Sequence, residues 1–97
     1  VFYNVTSTNI LDYGINKLSI YPNPSRDIFN ISLTSEYVQN LKVKVLNTIG
    51  EEILSEYLEQ FIGKYTKQIN LRNNASGIYF LEIETNKGII NKKVILQ

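Results

Sequence analysis

The sequence has 97 residues and contains no cysteine, histidine, tryptophan or methionine. Without histidine and cysteine there is no Ser–His relay, no thiolate nucleophile and no zinc site built from its usual ligands. Without cysteine there is also no disulfide framework. Because the chain has neither an initiator methionine nor a charged segment followed by an apolar one at its start, we expect it to be a segment of a longer polypeptide, with a mature processed protein as the alternative.

The remaining composition indicates one small folded domain. Hydrophobic residues make up 43% and charged residues 20%, which is typical of a globular chain. The net charge of +1 provides no general attraction to nucleic acid or to an anionic membrane surface. The longest apolar run is a few residues, well short of the ~20 that span a bilayer. We therefore expect no nucleic-acid partner and no membrane span.

The first part of the chain differs from the rest. Residues 1–17 mix polar and apolar side chains without keeping a period of 2 or of 3.6. Such a pattern predicts a linker, or the tail of a preceding domain. Residues 18–97 are then the folded domain.

Residues 18–97 contain short runs in which apolar and polar residues alternate, as in strands with one wet face. Residues 51–58 have helix-forming side chains, but the Gly50 turn before them and the neighbouring strands favour a strand, with the next turn at 61–64. The expected strands are 18–21, 29–34, 41–46, 51–58, 68–71, 78–85 and 89–96. Seven strands at this spacing predict an all-β fold, a seven-stranded antiparallel immunoglobulin-like β-sandwich.

Carboxylates are the remaining candidates for catalysis. Glu82 and Glu84 share a strand face at a separation of ~7 Å, which loosely suits paired glycosidase acids but is far more often found on a solvated surface. Asp12 and Asp27 do not fall in the sequence pattern of a calcium-binding loop, and we interpret them as turn-forming residues. We predict no catalytic residue, no metal site and no cofactor.

Sugar binding is an open alternative. It needs exposed aromatic platforms, for which Tyr13, Tyr37, Tyr57 and Tyr65 are candidates. Tyrosines in β-rich domains also pack across strands. A carbohydrate-binding module or a spacer module of a secreted hydrolase therefore remains possible on the residues alone.

Several motifs in a fixed order resemble one family. Tyr21-Pro22-Asn23-Pro24 follows a short apolar strand, and Gly50 ends a turn. Gly77-Ile78-Tyr79 opens the penultimate strand, Lys87-Gly88 turns the chain, and the segment 92–96 closes it. Over residues 18–97 the chain resembles the type A C-terminal sorting domain of the type IX (Por) secretion system of Bacteroidetes.

The resemblance implies a non-catalytic address label with an immunoglobulin-like fold. Its implied partners are a covalently linked N-terminal cargo domain, the type IX outer-membrane translocon, its shuttle proteins and a sortase-like cysteine protease. The cargo would pass through the periplasm to the cell surface or be secreted. Cleavage would fall around residues 5–12.

The resemblance also implies a set of recognition residues, each of which has a structural interpretation as well. The prolines end a strand, the glycines allow positive φ in turns, and the Tyr79 hydroxyl is expected to bond to upstream backbone, as in a tyrosine corner. The C-terminal strand could offer its edge to a partner. The candidates are Pro22, Asn23, Pro24, Gly77, Tyr79, Gly88, Lys92, Lys93 and Val94.

Overall fold

The computed structural model describes residues 13–97, which form an all-β, antiparallel fold. Within that range no helix is long and apolar enough to cross a membrane. The predicted linker lies mostly in residues 1–12, outside the described residues, and its boundary stays a prediction. The strands are β1 (Ile15–Tyr21), β2 (Ile28–Leu46), β3 (Glu52–Asn70), β4 (Gly77–Thr85) and β5 (Gly88–Leu96).

The two longest strands, β2 and β3, form a hairpin through the turn that the sequence predicts at Gly50. The Gly50 N–H donates to the Asn47 carbonyl at 3.0 Å, and the Gly50 φ of 84° lies in the region that glycine favours. The Asn47 side-chain oxygen also accepts from the Ile49 and Glu51 N–H groups at 3.1 and 2.8 Å. The turn and the extended structure of residues 51–58 are both confirmed.

The expectation of seven strands is wrong, because β2 and β3 each join two expected strands. β2 spans 29–34 and 41–46, and β3 spans 51–58 and 68–71 apart from their end residues. The predicted turn at 61–64 is a bend within β3. Register shifts between Ser35 and Leu41, together with positive φ at Gln60 and Gly63, bend the ribbon while its pairing continues on both sides.

β2 is the centre of a single curled sheet. β3 pairs along one side of β2 for most of its length. On the other side β1 pairs with residues 30–35 and β4 with residues 42–46, and β5 pairs with β4. The bend therefore divides the sheet into a half that carries β1 and a half that carries β4 and β5.

The inner faces of the two halves enclose one core. Alternation along β2 buries every second side chain on both sides of the bend, as the period of 2 in the sequence predicts. The buried hydrophobic residues are Ile15, Phe29, Ile31, Leu33, Leu41, Val43, Val45, Tyr65, Ile69, Leu71, Tyr79, Leu81, Ile83, Val94 and Leu96.

Polar side chains connect the two arms of the bent β3. The Tyr65 hydroxyl donates to Glu56 Oε1 at 2.6 Å, and Lys67 Nζ lies 3.1 Å from the same oxygen. These contacts hold the pKa of Glu56 below its usual value, with the Tyr65 hydrogen bond the larger cause. Burial, followed by the Glu56 contact, raises the pKa of Tyr65. The two arms of β3 are thus held together where the ribbon folds back.

Candidate functional site

Most of the predicted recognition residues gather at one end of the curled sheet. Pro22 and Pro24 lie exposed in the turn after β1. The β4–β5 register places Gly77 opposite Leu96 and Tyr79 opposite Val94, at the same end. Residues far apart in the sequence are therefore brought to the last residues of β5.

Asn23 connects the proline turn to β5 through its side-chain amide. The Nδ2 group donates to the Lys93 carbonyl at 3.0 Å, and Oδ1 accepts from the Ile95 N–H at 3.0 Å. These are the backbone groups that a neighbouring strand would use, so the Asn23 amide takes the place of a paired strand.

Ser25 continues the same connection with its backbone. Its N–H donates to the Ile95 carbonyl at 3.1 Å, and its carbonyl accepts from the Gln97 N–H at 2.8 Å. The Ser25 hydroxyl donates to the Ile28 carbonyl at 2.6 Å, and Ser25 is buried. We call Asn23 and Ser25 together with residues 93–97 the turn–strand junction. Sequence reasoning missed Ser25, because nothing local signals a partner some 70 residues away.

Tyr79 has the hydrogen bond that the sequence predicts. Its hydroxyl donates to the Ala75 carbonyl at 2.5 Å while its ring is buried in the core. The preceding loop is held further by the Leu71 N–H, which donates to the Asp27 carbonyl at 2.8 Å, and by an Asn74-to-Leu71 bond of 2.9 Å. Tyr79 therefore fixes the loop beside the junction from within the core.

The two candidate lysines do not share a face. Lys93 pairs with Phe80, whereas Lys92 pairs with the buried Leu81. Because residues directly opposite in an antiparallel pair point to the same side, Lys92 is on the inner face and Lys93 on the outer one. Lys93 also contributes its carbonyl to the junction.

Gly88 is not brought to the junction. It begins β5, while the junction is at the end of β5, and a nine-residue strand extends over ~27 Å. Gly88 has a φ of 154°, and a Cβ atom there would lie 2.6 Å from the Tyr13 hydroxyl oxygen. Its requirement for glycine is therefore local and structural.

The carboxylates that sequence analysis considered for catalysis are paired with a lysine. Glu82 and Glu84 share the outer face of β4 as expected, and Lys44 Nζ lies 3.2 Å from the first and 3.7 Å from the second. The hydrogen bond with Glu82 is the largest cause that raises the pKa of Lys44. Across residues 13–97 no three acidic side chains gather closely enough to suggest a metal site.

Two of the candidate sugar-binding tyrosines are engaged within the domain. Tyr65 is buried with its hydroxyl on Glu56, and the Lys87 ammonium lies 5.3 Å from the centre of the Tyr37 ring. Tyr57 is exposed on the outer side of β3. These three tyrosines thus differ in environment and do not form equivalent platforms.

The comparisons with known proteins identify the family of the chain. No curated protein matches the chain significantly. The family model described as the secretion system C-terminal sorting domain matches residues 19–97, which include most of β1 and all later strands. The chain therefore belongs to the family of C-terminal sorting domains of the type IX secretion system.

Proposed function

We propose that this domain is a non-catalytic signal that directs an N-terminally linked cargo protein through the type IX outer-membrane translocon to the cell surface or the medium. The observation that carries the proposal is the family match over residues 19–97, which spans nearly all of the described fold. The Glu82 and Glu84 carboxylates that would favour an enzyme are paired with Lys44, and of the tyrosines that would favour a lectin, Tyr65 is bonded to Glu56.

The recognition surface that we propose is the turn–strand junction together with the outer face of β4 and β5 beside it. Pro22 and Pro24 are exposed there, and Ile78 and Ile95, which pair across β4 and β5, are 40% and 37% exposed. Lys93 adds a positive charge beside them. An exposed apolar pair next to a rigid turn is a feature that a translocon or shuttle protein could bind.

The later steps are proposals that follow from the family. A sortase-like cysteine protease would cleave around residues 5–12, which lie outside the described residues, and release the domain from the cargo. The two halves of the curled sheet would correspond to the two layers of an immunoglobulin-like sandwich. These steps suit a domain whose described residues, 13–97, enclose one core.

Export of a cargo fusion tests the proposal. We expect deletion of residues 93–97 to leave the cargo in the periplasm. Because this deletion also removes Val94 and Leu96 from the core, a second variant is needed that keeps the fold. Lys93→Glu reverses an exposed charge at the junction. The matched control is Lys64→Glu, which makes the same charge change at an exposed position on β3.

The two variants separate recognition from stability. We expect Lys93→Glu to retain its melting temperature and to accumulate cargo in the periplasm, while Lys64→Glu is exported normally. Normal surface display of the fusion without residues 93–97 would refute the sorting function. Equal export of the two charge variants would remove Lys93 from the recognition surface.

A further inference from the structure

An open groove separates the outer edges of β1 and β5. Within residues 13–97, β1 forms a ladder with β2 and β5 forms one with β4, and the facing edges of β1 and β5 are not paired along most of their length. Between them lies a groove of about 530 Å³, bounded by Tyr13, residues 15–18 and residues 89–92. Both edges therefore present backbone groups that their own sheet does not use.

The groove has one closed end and one open end. The bridge between Ser25 and Leu96 is parallel, so β1 and β5 run in the same direction towards the turn–strand junction. There the hydrogen bonds of Asn23 and Ser25 with β5 close the seam, the gap between the β1 and β5 edges. The seam stays open where β1 shifts its register between Asn16 and Ser19. The shape is that of a sheet from which one strand is missing at its open end.

The lining of the groove indicates what it could bind. Leu18 and Ile90 supply partly buried apolar side chains beside the buried Ile15, and Ile90 is opposite the buried Ile83, so it faces the core. Lys17 and Lys92 supply two positive charges, and no carboxylate is among the described residues that line the groove. The ion pairs found in residues 13–97 use Lys44 and Lys67 instead.

We propose that this groove binds an extended segment of a partner protein by β-strand addition, with an acidic side chain level with Lys92 and apolar side chains on the same face. This inference rests on the proposed sorting function only in that the partner would be a component of the secretion machinery. The main chain of the segment pairs with the free edges, and its inward side chains cover the apolar lining. Its carboxylate pairs with Lys92.

The charges favour a foreign segment over a second copy of this domain. Lys17 lies on the edge of β1, and Lys92 on that of β5. Pairing of either edge with its copy would bring like charges together, and an inward-pointing lysine on an edge strand opposes such pairing. An acidic partner strand removes the repulsion and neutralises Lys92.

Binding of defined peptides to the full 97-residue chain tests the inference. The probe is a capped octapeptide in which valine alternates with threonine and one central valine is glutamate. One comparison peptide has lysine in place of the glutamate, and another has N-methyl groups at alternate residues to remove backbone donors. We expect the glutamate peptide to bind, binding to weaken with salt, and chemical shifts to change at 15–20 and 89–92. We expect the other two peptides not to bind.

A charge reversal locates the contact. Lys92→Glu should lower the affinity for the glutamate peptide by at least ~10-fold, which is ~1.4 kcal/mol, and should allow the lysine peptide to bind. Lys64→Glu, a control with the same charge change outside the groove, should bind the glutamate peptide with the affinity of the wild type and should still not bind the lysine peptide. The swap in peptide preference would not arise from unfolding, so it keeps the test informative if Lys92→Glu loses some stability.

Three outcomes would overturn the inference. One is no binding of the glutamate peptide at millimolar concentration, and another is equal binding of the N-methylated peptide. The third is binding that occurs only after residues 1–12 are deleted, which would identify those residues as the occupant. If the peptide does not bind but the cargo is exported, the groove is rejected as a binding site and the sorting function stands. If the peptide binds but the cargo is exported equally well without the domain, the sorting function is rejected.

Discussion

The side chain of Asn23 offers a direct test of how the turn–strand junction is held. Asn23→Ala removes the donor to the Lys93 carbonyl and the acceptor for the Ile95 N–H. Each hydrogen bond contributes ~0.5–1.5 kcal/mol, and at this exposed position we expect a total loss of about 1–2 kcal/mol in unfolding free energy. For a domain of this size, that loss lowers the melting temperature by about 4–16 °C.

Thermal unfolding followed by circular dichroism measures the global effect, and amide hydrogen exchange measures the local one. In Asn23→Ala the Ile95 amide loses its acceptor, so its exchange should accelerate about tenfold or more. Asn73→Ala, in the exposed loop before β4, is the matched control and should change stability by less than ~0.5 kcal/mol.

Asn23→Asp distinguishes the two bonds. The aspartate keeps an acceptor for the Ile95 N–H but turns an oxygen towards the Lys93 carbonyl. We expect it to be at least as unstable as Asn23→Ala at pH 7, and to recover relative to the wild type below about pH 3.9, where the carboxyl is protonated and can donate. An unchanged melting temperature in Asn23→Ala, or unaltered exchange at Ile95, would refute the role of this side chain.

Three further substitutions test other contacts. Tyr79→Phe should lower the unfolding free energy by about 1 kcal/mol in chemical denaturation, and no change would contradict the tyrosine-corner bond. Because the pKa of Glu56 is lowered in the folded state, its contribution is present above the unfolded pKa of about 4.3 and is lost as the pH falls through the folded value. Glu56→Gln should therefore show a shallower loss of stability than the wild type below about pH 5, and parallel pH profiles would argue against the bond with Tyr65. Gly88→Ala should cost about 1–3 kcal/mol through its φ and the approach of Tyr13, and adding Tyr13→Ala should restore only the steric part.

Local patterns were enough to predict the all-β class, the turn at Gly50 and the inner face of β2. These features depend on residues close together in the chain: alternation of period 2 assigns Phe29, Ile31 and Leu33 to one side whatever pairs with them. The bond of Tyr79 with Ala75 spans four residues and was predictable for the same reason.

The number of strands was not predictable in this way. Gly63 and the polar residues around positions 35–40 indicate the end of a strand, because a local pattern does not distinguish a turn between two strands from a bulge within one strand. Pairing with the neighbouring strand decides which one occurs. In this protein the β2–β3 ladder continues on both sides of the bend, so five strands form where seven were expected.

The sequence by itself determined that this is a small β domain of the sorting family, since composition, alternation and motif order are properties of the chain. The tertiary structure alone decided that Asn23 and Ser25 join the proline turn to the end of β5. It also decided that β1 and β5 leave a groove between them. The reason is physical: these features arise from contacts between residues some 70 positions apart, and the curl of the sheet around its core brings those residues together.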